Sequence, residues 1–247
     1  MEDHRTPPPR PRPRARSDSL TPAVLLVENI EFQYPHGAYA LRIDRFESRA
    51  GSATALVGPS GCGKTTLLNL SAGVLQPGRG SIRVEDTDLA RLGASARAGY
   101  RLSHIGLIFQ EFELVEHLTV RDNILLPLHL GLHTGRAALE SRARSLADRT
   151  GIGQYWKKRP DNLSHGERQR VAICRALSIN PGLILADEPT GNLDPTNKRV
   201  VLDLMISFAK EDNRALVIAT HDVELLDAFD EVVQFEELNR FERTEEP

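Results

Sequence analysis

Apolar and polar residues follow two different periods along the chain, and the change between them marks out the elements. Over residues 24–32 and 40–46 they partly alternate, which predicts two antiparallel strands with Tyr34, Pro35 and Gly37 between them. Residues 53–57, 183–186 and 215–219 are short continuous apolar runs, the pattern of parallel strands covered on both faces. Residues 81–84 and 105–109 read as further strands, and 232–235 as one that closes the sheet. Helical spacing begins at Leu67, runs over 119–130 and 136–149, resumes from Ser164, covers 196–210, and starts once more at Asp222. This order predicts an α/β chain: a mostly parallel core sheet, an N-terminal antiparallel β subdomain, and a helical insertion at about 111–165.

Specific chemistry attaches to the ends of the apolar runs. The run at 53–57 leads into Gly58-Pro59-Ser60-Gly61-Cys62-Gly63-Lys64-Thr65 and then a helix, a complete phosphate-binding loop in strand–loop–helix context. The glycines let backbone N–H groups face phosphate oxygens at a helix N-terminus carrying about half a positive charge. Lys64 is placed to reach β and γ phosphates, and the Thr65 hydroxyl to ligate magnesium. Ser164 and Glu167 have the Ser-x-x-Glu form of a capping box, so a helix starts at Ser164; Asn180, Pro181 and Gly182 end it. Asp187 and Glu188 close the run at 183–186, at the strand end where open α/β sheets bind ligands, and a metal and a water suit such a pair. His221 follows the run at 215–219 and shares that sheet edge, although a lone histidine is more often structural. Gln110 after a strand and Tyr34 in a loop mean little alone.

Composition narrows the class. With 247 residues, 40% hydrophobic and 26% charged, the chain suits one or two ordinary domains, and a net charge of -3 gives no support to a nucleic-acid partner. Cys62 and Cys174 make no disulfide framework, which with no signal peptide fits a reducing cytoplasm. The longest apolar passage, 124–132, is interrupted by Pro127 and His129 and falls far short of the ~20 residues of a spanning helix, so membrane work needs a partner. Residues 1–22 interleave prolines with arginines and predict a disordered arm; 23–236 form the domain, and 237–247 a solvated acidic tail.

Taken in order, these stretches resemble the ATP-binding subunit of an ABC transporter over residues 24–235. Gly58 to Thr65 match Walker A; Leu163-Ser164-His165-Gly166-Glu167 match the signature, with His165 where glycine is usual; residues 183–187 match Walker B. Gly191-Asn192-Leu193-Asp194 match the Asp loop, and Gln110 and His221 the Gln and His switches. The wording GERQRVAICRAL and LADEPTGNLD is most similar to lipoprotein-release and macrolide-export subunits. The resemblance implies an ABC-type P-loop NTPase fold with ATP and magnesium as cofactors. It implies an ATP site of Tyr34 (stacked on adenine), Gly58, Pro59, Ser60, Gly61, Cys62, Gly63, Lys64, Thr65 and Thr66, and a metal held by Thr65, Gln110 and, through water, Asp187. Glu188 would polarise the attacking water, with His221, Lys64 and Gln110 as the other catalytic groups. Ser164, His165, Gly166 and Glu167 would act on a partner's ATP in a head-to-tail homodimer, with Asp194 at the dimer contact. A membrane permease subunit would dock on the helical insertion, placing the chain in the cytoplasm, peripheral to the inner face of the cell membrane. Alternatives are a division-type signalling cassette, or a soluble ABC ATPase acting on ribosomes or DNA.

Overall fold

The two kinds of strand build two separate sheets. The computed structural model describes residues 22–35, 40–132 and 135–240, so all of the Pro/Arg-rich arm except Pro22, and residues 241–247 of the acidic tail, lie outside the described residues. In chain order the elements are β1 (Ala23–Gln33), β2 (Ala40–Arg49), β3 (Ala53–Val57), α1 (Lys64–Ser71), β4 (Arg79–Val84), β5 (Thr87–Asp88), α2 (Ala94–His104) and β6 (Ile105–Ile108). There follow α3 (Val120–Ile124), α4 (Leu126–His129), α5 (Arg136–Arg149), α6 (His165–Ser178), β7 (Leu183–Asp187), α7 (Pro195–Glu211), β8 (Ala215–Thr220), β9 (Glu231–Gln234) and α8 (Phe235–Leu238).

One sheet has the order β6-β7-β8-β3-β9, with every neighbouring pair parallel; the other is antiparallel, in the order β2-β1-β4-β5. The apolar runs are continuous because the parallel sheet is covered on both sides. Leu56, Leu183, Leu185 and Val217 pack toward the antiparallel sheet and α1, in one cluster with Ile30, Ile43 and Leu67. Their neighbours Ala53, Ile184, Leu216 and Ile218 pack toward the helices, with Leu146 of α5, Ile173 of α6 and Met205 of α7. Each buried Leu, Ile or Val contributes on the order of 2 kcal/mol of transfer free energy, so these two clusters fix the register. That register aligns the strand ends: Val57 lies opposite Thr220, Asp187 opposite Ala219, and Ile108 opposite Ala186. Everything that follows β3, β6, β7 and β8 therefore emerges along one edge.

The structure differs from the sequence expectations in several elements, among them the closing strand, which is Glu231–Gln234 with Phe235 already in α8. The helical pattern at 119–130 divides at Leu125 into α3 and α4, with Pro127 in the first turn of the second, where its missing N–H costs nothing. Residues 85–104, to which the sequence expectations assign no element, form β5 and α2. No residue of α2 is buried; it is held by hydrogen bonds from Arg97 and Arg101 to the Gly73 carbonyl, both at 3.2 Å, just beyond the C-terminus of α1. The helix expected from Asp222 is a 3-10 helix at Val223–Ala228. Finally, Glu236 and Glu237 are exposed as expected of an acidic tail, but on α8, whose Phe235 is fully buried, and Arg240 N–H bonds the Arg42 carbonyl at 2.8 Å.

β4 is threaded against β1 through Gly80, which sits at φ +86° where the pairing shifts register between Glu28 and Glu31. A Cβ there would lie 2.3 Å from the Asn29 carbonyl oxygen and 2.5 Å from that of Glu28, both backbone atoms. Gly80→Ala should therefore lose on the order of 3 kcal/mol, lowering the thermal midpoint by about 6–12 °C. An unchanged midpoint by calorimetry would show that the two strands do not approach here as described.

Candidate functional site

Between β3 and α1 the chain makes an anion cradle out of backbone. Gly61 at φ +77° and Gly63 at φ +115° take conformations that L side chains rarely adopt, and Gly63 caps α1 without any side-chain hydrogen bond. The first amides of α1 are thus left as free donors at the positive end of the helix dipole. Lys64, only 7% exposed, donates to the carbonyls of Gly58 at 2.7 Å and Pro59 at 3.0 Å, so the loop's own oxygens hold the ammonium in place. Tyr34, Gly61, Gly63, Lys64, Thr65 and Thr66 line an opening of about 170 Å³, and the Tyr34 hydroxyl lies 3.3 Å from Thr66 Oγ1. Cys62 does not line it. Its thiol turns back toward Gly58, packs with the apolar cluster under the antiparallel sheet, and lies 3.8 Å from Lys64 Nζ. Gly58, Pro59 and Ser60, expected with Cys62 at the nucleotide, likewise do not line the opening.

The carboxyl ends of β6, β7 and β8 bring Gln110, Asp187, Glu188 and His221 to the same edge. Burial pushes the Asp187 carboxyl above the usual carboxylate range, and the neighbouring Glu188 adds to this; a hydrogen bond with Thr65 and the charge of Lys64 pull the other way. A carboxylate penalised by burial and set against a hydroxyl is a fitting partial ligand for a hard divalent cation, whose charge would offset that penalty. Glu188 is held at φ +45° by two backbone bonds: its N–H donates to Ala219 at 2.9 Å and its carbonyl accepts from Gly191 N–H at 3.1 Å. The side chain is fixed too, with Oε1 2.8 Å from Nδ1 of His221. His221 is 63% exposed while Glu188 is 16% exposed, so this pair has one face in solvent. Gln110 is held through its carbonyl, which accepts from Asn192 Nδ2 at 3.3 Å.

α6 starts with the reciprocal cap expected: Ser164 Oγ accepts from Glu167 N–H at 3.4 Å, and Glu167 Oε2 accepts from Ser164 N–H at 2.7 Å. Hydrogen bonding from Tyr155, and then from the Ser164 backbone, holds the Glu167 carboxyl below its usual range. The His165 ring meets Phe112 edge-on at 5.8 Å. Lower on the same helix, the mostly buried Arg175 guanidinium donates to the carbonyls of Phe112, at 2.7 Å, and Glu113. Those two residues, at φ +62° and +49°, are the consecutive left-handed pair just past Gln110. Asp194 caps α7, accepting from Asn197 N–H at 3.1 Å. The structure thus brings the phosphate loop, Asp187, Glu188, His221 and Gln110 to one edge, whereas none of Ser164, His165, Gly166 and Glu167 lines the opening at the loop. Sequence reasoning passed over Asn192 as a tether, Arg175 and Lys198; the signal for Arg175 was a single charge inside the buried run 171–178.

The ABC transporter family model matches residues 41–191. The chain is 43% identical over 213 residues to an uncharacterized ABC transporter ATP-binding protein of Mycobacterium tuberculosis, which covers 85% of this chain but 64% of that protein's length. It is 38% identical over 217 residues to the lipoprotein-releasing system ATP-binding protein LolD of Hydrogenovibrio crunogenus, covering 87% and 94% of the two chains. Among solved structures it superposes with a TM-score of 0.74 at 28% identity on the ATP-binding cassette MJ0796, in a dimeric post-hydrolysis state bound to ADP and Pi, covering 85% and 93%.

Burial of Asp187 has a measurable cost. Because its folded pKa is raised, the ionised form destabilises the fold, and stability falls as pH rises from the unfolded carboxylate range through the raised value. Above the raised value that cost is fully present. Asp187→Asn should therefore raise the thermal midpoint of the nucleotide-free protein at pH 7 and lose that advantage in acid, below the carboxylate range. A midpoint lowered at pH 7 would show that the Thr65 bond outweighs desolvation.

Proposed function

The chain belongs to the ABC transporter family of ATP-binding proteins, and from that premise we propose that it is the ATP-hydrolysing subunit of a transporter, working as a head-to-tail pair on a separate membrane permease. The observation that carries the reading is the Glu188–His221 hydrogen bond of 2.8 Å, formed where β7 and β8 end beside the phosphate loop that follows β3. ATP phosphates lie along the amides of Gly61 to Thr66, the adenine stacks on Tyr34, and Lys64 exchanges its two carbonyl partners for β and γ phosphate oxygens. Thr65, Gln110 and Asp187 would hold magnesium, which would supply neutralisation of phosphate charge. Glu188 accepts a proton from the attacking water as its oxygen bonds to the γ phosphorus and ADP leaves; His221 holds Glu188 and the γ phosphate in register. Ser164 and the amides after it face the γ phosphate bound by the partner copy, so hydrolysis removes the contact that holds the pair together.

Among the described residues no helix is long and apolar enough to cross a membrane. The likeness to LolD over 94% of that protein's length supports a lipoprotein-release type of assembly, with the chain peripheral to the membrane's inner face. The helices between β6 and β7 offer the permease its docking surface.

Glu188→Gln should retain ATP binding while lowering turnover about a hundredfold or more, because an amide accepts no proton; wild-type turnover would remove Glu188 as the base. A composite site is tested by mixing two inactive variants. Lys64→Ala disables a chain's own phosphate loop, and Ser164→Arg disables the site it completes on its partner. In a mixed dimer both lesions can fall in one site and leave the other intact, so the mixture should regain ATPase activity. If neither activity nor ATP-dependent mixed dimers in a Glu188→Gln background can be found, under conditions where wild type gives both, the head-to-tail mechanism is wrong.

A further inference from the structure

We propose that Lys198 is a positioning residue for His221, acting through Asp222 to tie the His221 arm to the helix that follows Asp194. This rests on the ATPase reading above and adds to it a residue that none of the matched motifs contains. Lys198 Nζ donates to Asp222 Oδ2 at 2.6 Å, and the two side chains are only 25% and 13% exposed. Asp222 stands at the N-terminus of the 3-10 helix at Val223–Ala228, where an aspartate ordinarily caps; its carboxylate makes no cap there and goes to Lys198 instead. The Asp222 N–H is also taken, by Thr220 Oγ1 at 3.0 Å. His221 is thus suspended between the end of β8 and a residue pinned from α7.

Lys198 itself lies in the first turn of α7, with its N–H donating to the Asp194 carbonyl at 2.9 Å. A closed ring results. It runs from Glu188 through Gly191, whose N–H it binds, along the chain to Asp194 and Lys198, across to Asp222, back one residue to His221, and from its Nδ1 to Glu188 again. A shift of the Asp194 loop relative to the parallel sheet reaches the His221 neighbourhood through this ion pair, whereas Arg199–Asp227, a second tie from α7 at 2.9 Å, ends farther along the 3-10 helix. Under the head-to-tail reading the Asp194 loop meets the partner copy, so the partner's arrival is transmitted to the imidazole by Lys198.

Magnitudes separate this role from a merely structural one. A partly exposed ion pair contributes up to about 1 kcal/mol to stability, so its loss leaves the chain folded. Displacing a catalytic group by about 1 Å can cost up to ~100-fold in rate.

The test compares steady-state ATP hydrolysis by the full chain with Lys198→Met, Lys198→Arg, Asp222→Asn, the Lys198→Met/Asp222→Asn double variant and His221→Ala. Lys198→Met and Asp222→Asn should each lower kcat about tenfold while KM for ATP stays within about twofold. The double variant should be no slower than either single one, because both remove the same link. Lys198→Arg, which keeps the charge, should recover to within about threefold of wild type. If wild type hydrolyses ATP and His221→Ala is slow, but Lys198→Met keeps wild-type kcat, the proposal fails and the ATPase reading stands. Losses that multiply in the double variant also overturn it. A wild type without ATPase activity, under conditions that support a related cassette, overturns both.

Discussion

A parallel sheet covered on both faces has no surface left for charge except at its ends, and the placement of chemistry in this protein follows from that. Ala53, Ala55, Leu56, Leu185, Ala186, Val217 and Ile218 are essentially without solvent contact, so a charged side chain within those strands would go unpaired in an apolar interior. The charge begins at the last residue of β7 and just after β8, where Asp187, Glu188 and His221 regain access to solvent and ligand. Because β3, β7 and β8 are neighbours in register, the same rule puts the phosphate loop next to them. The site is a consequence of where this sheet can tolerate polarity.

Left-handed backbone at residues other than glycine recurs near the site, and each case is restrained by tertiary contacts. An L residue in that region is strained by about 1–2 kcal/mol. Glu188 is kept there by hydrogen bonds to Ala219 and from Gly191. Phe112 and Glu113 are kept there by Arg175, which comes from α6, the helix capped by Ser164. The Gln110 loop is therefore shaped by the same helix whose first turn carries the signature residues, and the His165 ring on Phe112 adds a second contact between them. Glycine, usual in the family at this position, has no ring to make that contact.

Two charged groups at the candidate site, Lys64 and Asp187, are balanced differently. Lys64 has its ammonium satisfied by carbonyls of its own loop. Asp187 has a hydroxyl and distant positive charge to set against desolvation, and its carboxyl remains raised. Nucleotide and cation together would supply what each lacks: oxyanions for Lys64 and positive charge for Asp187.

The phosphate loop, the acidic strand end, the cap at Ser164 and the five parallel strands of the core were legible in the sequence. They depend on local rules: glycines where backbone must face an anion, continuous apolar runs where both faces are buried, and a serine with a glutamate three residues on. The antiparallel pair was legible for the same reason. What lay beyond reach was held by contacts between residues far apart in sequence. α2 buries no residue fully; arginine bonds to the end of α1 and the Tyr100 hydroxyl on the Val84 carbonyl fasten it. The direction of the Cys62 thiol was decided by space beside Gly58, not by its place in the motif. Arg175 and Lys198 are ordinary helix residues by spacing, and only the fold sets one on the strained carbonyls past Gln110 and the other on Asp222 beside His221. Short-range patterning determined the loop, the strand ends and the helix cap of the candidate site; long-range packing decided which residues hold them still, because a tether is defined by where its two ends meet in space.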